Sequence, residues 1–262
     1  MNKKVTVTFF QERGEALQER WLKAKVIAIL FFLIFNFGCA HWVRKNSADD
    51  LIMHSGLAVP FKQINQKIRK DKNNYSAYCD RGHTYLAVGA YKRAAADYSR
   101  AVQINPKKYE AYFYRARACD ELGQLKRALR DYTKAIELNG PAYRLYQWRG
   151  QVYAKQGKWD LAIADFTKSI KLSPEDMLGY LDRARAYKNR GDLDPALADY
   201  DKVLKLNPTA DVVYEERAVI YFMKKDFDKS WENVRILKQW CNLEITNPKF
   251  MKKLKQESGR SE

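Results

Sequence analysis

Residues 143–176 read YRLYQWRGQVYAKQGKWDLAIADFTKSIKLSPED, and this stretch decides the fold because most of it returns at a fixed interval. Arg149 stands at its seventh position, and Arg81, Arg115, Arg183 and Arg217 lie at multiples of 34 residues from it. Aligning on arginine gives five units: 75–108, 109–142, 143–176, 177–210 and 211–244. Position 8 is always small: Gly82, Ala116, Gly150, Ala184, Ala218. Position 15 is Gly89, Gly123, Gly157 and Gly191, then Lys225. Position 20 is Ala94, Ala128, Ala162 and Ala196, then Ser230; position 24 is Tyr98, Tyr132, Phe166 and Tyr200, then Val234. Proline or glycine closes the first four units at Pro106, Gly140, Pro174 and Pro208.

Each unit reads as two helices of about three to four turns. Glycine at position 15 suits a left-handed residue ending the first helix, and proline near position 32 stops the second. In unit four, Asp194-Pro195 reads as the N-cap and first-turn proline of the second helix. Small residues at positions 8 and 20 let two helix backbones approach, with aromatics at 4, 11 and 24 filling the space beside them. No unit can bury its apolar face alone, so the units must stack. The pattern resembles the tetratricopeptide repeat over 75–244. The fold that follows is all-α, a right-handed α-solenoid of five tandem helix-turn-helix units with capping helices.

Both ends extend the array. Residues 61–74 line up with 95–108 at the same offset, so 41–74 reads as a tether plus a capping half-repeat. Within 245–262, Asn247-Pro248 starts a capping helix with Phe250, Met251 and Leu254 on one side.

The arginines have a partner ladder at position 23: Asp97, Asp131, Asp165 and Asp199, then Asn233. Opposite charges at one period predict partly buried pairs within or between units, in preference to arginines awaiting an anionic ligand.

In arrays resembling this family, positions 2, 5, 9, 12 and 13 of the first helices line the concave face. Carried onto this chain, the resemblance names Phe113, Arg117, Arg144, Gln147, Gln151, Lys155, Leu178, Leu181, Arg185, Lys188, Asn189 and Phe222 as a partner-binding groove. Leu181, Phe222 and Met223 are expected to stand exposed as apolar anchors. Such a groove suits a peptide segment with a hydrophobic stretch beside acidic groups. The carboxylate clamp of some members requires Lys and Asn where Cys79 and His83 stand, which sets that activity aside.

Lysine and arginine number 48 against 31 acidic residues, a net charge of +17. Within 75–244 there are 30 basic and 23 acidic residues, an excess of only 7, so the charge sits largely at the two ends. A uniformly basic nucleic-acid groove is not implied, although Arg117, Arg144, Lys155, Arg185 and Lys188 form the rival reading of this kind. Cys39, Cys79, Cys119 and Cys241 form no metal-binding spacing, and His41, His54 and His83 form no ligand set. No GxSxG, HExxH or P-loop occurs. No cofactor or catalytic residue is expected.

Residues 26–35, VIAILFFLIF, are wholly apolar and follow Lys23 and Lys25, so 1–40 reads as a signal or anchor segment. Gly38-Cys39 resembles a bacterial lipoprotein cleavage site, with Cys39 the lipidated residue. Asn36 and Phe37 depart from that pattern, and an uncleaved anchor or a buried stretch stands beside it. Under cleavage, 40–60 is expected to be a flexible tether. The resulting expectation is a non-catalytic adaptor on the outer face of a bacterial envelope membrane, binding peptide segments of other proteins, its oligomeric state unspecified.

Overall fold

The computed structural model describes residues 48–53, 58–139, 142–240, 245 and 247–260. The apolar run at 26–35, Cys39, Gly140-Pro141 and Cys241 lie outside the described residues. Every regular element among the described residues is an α-helix. Ten of these helices make five hairpins: α3 (Tyr75–Ala87) with α4 (Tyr91–Ile104), α5 (Tyr109–Glu121) with α6 (Leu125–Asn139), α7 (Tyr143–Lys155) with α8 (Trp159–Leu172), α9 (Met177–Arg190) with α10 (Leu193–Leu206), and α11 (Asp211–Met223) with α12 (Phe227–Trp240). Each helix packs against the next in chain order, the arrangement of a solenoid.

The hairpin turn is the same in all five units. Gly89, Gly123, Gly157 and Gly191 have φ between 70° and 103°. The amide at position 16 returns to the carbonyl at position 11, from Ala90 to Tyr85 at 2.8 Å through Asp226 to Tyr221 at 2.9 Å. These bonds satisfy carbonyls that a helix end leaves without partners. Lys225 adopts the same conformation at φ 59° without being glycine.

Positions 8 and 24 explain the close approach of the two helices. A Cβ added to Gly150 would lie 2.7 Å from Cε1 of Phe166, and one on Gly82 would lie 2.7 Å from Cζ of Tyr98. The aromatic ring therefore occupies the space a side chain would take on the first helix. Ala94, Ala128, Ala162 and Ala196 are fully buried at position 20, and Ser230 there is buried with its hydroxyl donating to the Ala218 carbonyl at 2.8 Å.

Two details differ from the sequence reading. The N-cap of α10 is Asp192, so Asp194 and Pro195 sit inside its first turn. Asp192 and Asp194 instead pair with Arg190 and Lys224. Within the segment expected to be a flexible tether, α1 (Ala48–Met53) is held in place. Its Ile52 is fully buried, and Asp49 accepts from the Tyr85 hydroxyl at 3.0 Å and pairs with Arg93 at 2.6 Å. Next, α2 (Ala58–Lys70) buries Phe61, Ile64 and Ile68 against the first unit. At the other end, α13 (Pro248–Ser258) is capped by Asn247, which accepts from the Phe250 amide at 3.1 Å, and buries Phe250 and Leu254. Trp231 of α12 fixes its far end by donating from Nε1 to the Ser258 hydroxyl at 3.0 Å.

Candidate functional site

Two ladders of polar side chains run along the array. In the first, the guanidinium groups of Arg81, Arg115, Arg149 and Arg183 each donate from Nε and one terminal nitrogen to the two oxygens of Asp97, Asp131, Asp165 and Asp199, at 2.7–2.8 Å. The remaining nitrogen reaches back into the preceding unit: to Asn65 at 2.9 Å, Ser99 at 3.4 Å, Thr133 at 3.1 Å and Thr167 at 3.0 Å. The pairs with the position-23 aspartates all lie inside a unit, and the contacts between units from these four arginines are hydrogen bonds to neutral side chains. Position 25 is the third member of the clip, and its changing residue type gives no periodic signal. The fifth unit shifts the charge. Arg217 meets Asn233 at position 23 and pairs instead with Asp201 at position 25 of unit four.

All four aspartates are buried, and burial of a charge is tolerated here only because each is met by a two-point bond. Hydrogen bonding to Asp165 holds Arg149 above its ordinary value, with burial opposing. This ladder is committed to holding the array together.

The second ladder lies on the face built from first helices. Position 9 of each unit touches position 6 of the next, 31 residues on. His83 meets the Tyr114 ring edge-on at 4.3 Å between centroids, and Arg117 lies 4.9 Å over the Trp148 ring. Gln151 donates to Asp182 at 2.7 Å, and Arg185 donates to Glu216 at 3.4 Å. Val219 and Phe250 share one apolar cluster at the end. The contact thus changes along the array from aromatic to cation–π to amide–carboxylate to ion pair to apolar.

The twelve groove residues fall into three groups. Several are engaged in contacts between units: Gln147 donates to Asp182 at 3.3 Å, Lys155 reaches both oxygens of Asp120 at 2.8 Å, and Lys188 pairs with Glu216. Gln151, Arg117 and Arg185 belong here too. Three are packed: Phe113 against Tyr114, Tyr132 and Trp148, Phe222 against Phe227 and Phe250, and Leu181. Leu181, expected to be exposed, is only 8% exposed, because it shares an apolar cluster with Ala210, the N-cap of α11, and Val213 of unit five. Phe222 is half-buried where exposure was expected. The exposed members without such a contact are Arg144, Leu178 and Asn189, while Lys155 is exposed beside its ion pair.

Leu178 and Val212 are 51% and 38% exposed and occupy position 2 of neighbouring first helices, while Met223 at position 13 is 52% exposed. Their apolar surface is the open part of the face. Position 6 went unrecognised in the sequence, although a search for partners of position 9 at a spacing of 31 would have found it. Asp182 lies at the centre of this ladder. Burial pushes its carboxyl up, against the amide donors of Gln151 and Gln147.

Among the described residues, no group of His, Cys, Asp and Glu side chains could hold a metal ion. Cys79 and Cys119 are free and buried, and burial raises both thiols above their ordinary range.

Two family models, both described as tetratricopeptide repeat, match the chain: one at 75–108 and 143–176, the other at 109–141 and 178–210. Together they cover half of it. No curated protein matches. Among solved structures, the chain is similar to MamA at 25% identity, covering 56% of this chain and 86% of that one with a TM-score of 0.55. It is similar to YrrB, described as a protein of the same repeat class with an unusual peptide-binding site, at 18% identity, 76% and 93% coverage and a TM-score of 0.56. PilW, described as a widely conserved type IV pilus biogenesis factor, matches at 19% identity, 79% and 96% coverage and a TM-score of 0.64.

Proposed function

The chain belongs to the tetratricopeptide repeat family, and from that premise we propose that it is a membrane-tethered adaptor that holds a peptide segment of a partner protein along its first helices. The observation that carries this reading is the exposed apolar surface of Leu178, Val212 and Met223 on one face, at positions where units two and three carry Glu110, Glu121, Arg144 and Lys155. The peptide it suits has apolar side chains spaced to reach units four and five. Its polar groups would meet Arg144 and Asn189. Lys155 and Lys188 already have carboxylate partners, so the face selects more by shape and apolar contact than by charge.

A photo-crosslinking residue placed at 178, 212 or 223 tests the groove. Crosslinks from all three should converge on one segment of one partner, whereas a probe at Leu161, exposed on a second helix, should not reach it. Equal capture from position 161 would overturn the assignment. The nucleic-acid reading is weakened by pairing, since Lys155, Arg185 and Lys188 face Asp120 and Glu216, and Arg117 lies on Trp148. A salt-sensitive, sequence-tolerant affinity for nucleic acid would restore it.

The tether rests on the apolar run 26–35 behind Lys23 and Lys25, together with Cys39. No helix among the described residues is long and apolar enough to cross a membrane. Mass spectrometry of the N-terminus isolated from native membranes should find either a lipidated Cys39 or an intact leader. A soluble, truncated product would remove the membrane from the proposal.

A further inference from the structure

Between α12 and α13 lies a cavity of about 860 Å³, floored by Trp231, Val234 and Met251 and rimmed by Arg235, Lys252 and Lys255. No acidic side chain lines it among the described residues. Its position follows from the register of the repeat. In complete units, position 7 of the first helix bonds to position 23 of its own second helix, and position 8 packs under position 24. Counting on from 245, Met251 and Lys252 are positions 7 and 8 of a sixth unit, and Lys255 is position 11. The cavity therefore opens on the face of α13 that the five hairpins each cover with a second helix.

The other wall explains the free volume. Val234 is position 24 of unit five, where the earlier units carry a large ring. In unit one that ring, Tyr98, also stacks on Tyr114 of the next unit at 5.6 Å. Valine is shorter than that ring, and it lines the cavity opposite Met251.

We propose that this cavity is a second docking site, which takes an amphipathic helix of a partner protein, apolar along one stripe and acidic on its flanks. The helix sits where the second helix of a sixth unit would lie. A helix is favoured over an extended strand because both walls present helical faces in the register that elsewhere receives one. Carboxylates are favoured because the rim is cationic on both walls. Lysine at position 8, where the units carry glycine or alanine, also keeps the incoming helix at a wider spacing and supplies a charge for it to meet.

The test uses the full chain and a fluorescent, stapled 16-residue helix with one leucine stripe flanked by glutamates. Its lysine-flanked counterpart and vesicles containing phosphatidylglycerol serve as the other arms. The acidic helix should bind, and Lys252→Glu/Lys255→Glu should weaken it at least tenfold while giving the lysine-flanked helix affinity of its own. Both lysines are exposed, so melting of the variant should match the parent. Leu178→Asp/Val212→Asp, which tests the first-helix face, should leave this binding unchanged. Met251→Asp provides a second variant and should also abolish it. Equal binding of both helices, binding lost only through positions 178 and 212, or vesicles binding through the two lysines where the helix does not would each overturn the proposal.

Discussion

At the residue scale, the side chains that break a local rule give the sharpest predictions. Lys225 holds a left-handed conformation where four units use glycine, and that conformation costs a non-glycine residue about 1 kcal/mol. Lys225→Gly should raise the free energy of unfolding by up to about 1 kcal/mol in urea denaturation, and a loss of stability would show that the lysine side chain holds the turn. Gly150 makes the opposite case. Its missing Cβ is the space occupied by Phe166, so Gly150→Leu should cost about 1–3 kcal/mol. Adding Phe166→Leu to that variant should recover part of the loss, and strictly additive costs would mean the two positions do not share a contact. Asp182 adds a pH dependence. Burial raises its folded value above the unfolded one, so its contribution to stability is full at low pH and is lost as pH rises from about 4 through the raised value. Asp182→Asn should thus be at least as stable as the parent at pH 7, with the difference shrinking or reversing toward pH 4 in paired melting curves. An equal loss at every pH would make the carboxylate an ordinary structural acceptor.

At the scale of the helix and its neighbour, the arginine clip sets what one hairpin contributes to the next. Arg149→Ala would leave Asp165 buried without its cation and Thr133 without its donor, at a cost of about 3 kcal/mol or more. Melting should therefore suffer more than partner affinity, while Arg144→Ala on the exposed face should leave stability within about 0.5 kcal/mol. Unchanged melting with lost binding in Arg149→Ala would reverse the assignment. The clip also marks how far the sequence could be read. Arginine and aspartate recur as single residue types, so their pairing was visible, whereas position 25 changes from Asn65 through Ser99 and Thr133 to Asp201 and hides its role. Position 6 of the inner ladder hides in the same way, its chemistry running from Tyr114 to Glu216. The six residues of α1 are too few for periodicity to register, and only the packing of Ile52 and the bonds of Asp49 reveal them. The burial of Leu181 is invisible in its own unit because it depends on Ala210 and Val213, which the next hairpin brings over it.

For the whole molecule, the division between scaffold and site follows from periodicity itself. Residues that recur every 34 positions are those that neighbouring hairpins need, and they disappear into clips, turns and ring-on-backbone contacts. In both proposals recognition falls to positions 2 and 13 and to the terminal helix, where the units differ, so the repeats specify the fold while leaving the partner unnamed. The same logic fixes the order of stability. The main contacts among the described residues run between adjacent helices and hairpins, so α7 and α8 are supported from both sides, whereas α1 and α13 are supported from one. Native-state amide exchange should accordingly be slowest in α7 and α8 and accelerate toward both ends, with α13 opening first when Trp231→Ala removes its bond to Ser258. That variant should speed exchange in α13 and α12 by at least tenfold and leave α7 unchanged. Uniform protection from α3 to α12, falling together in the variant, would mean that the array unfolds as one block, and nearest-neighbour support would not govern its stability.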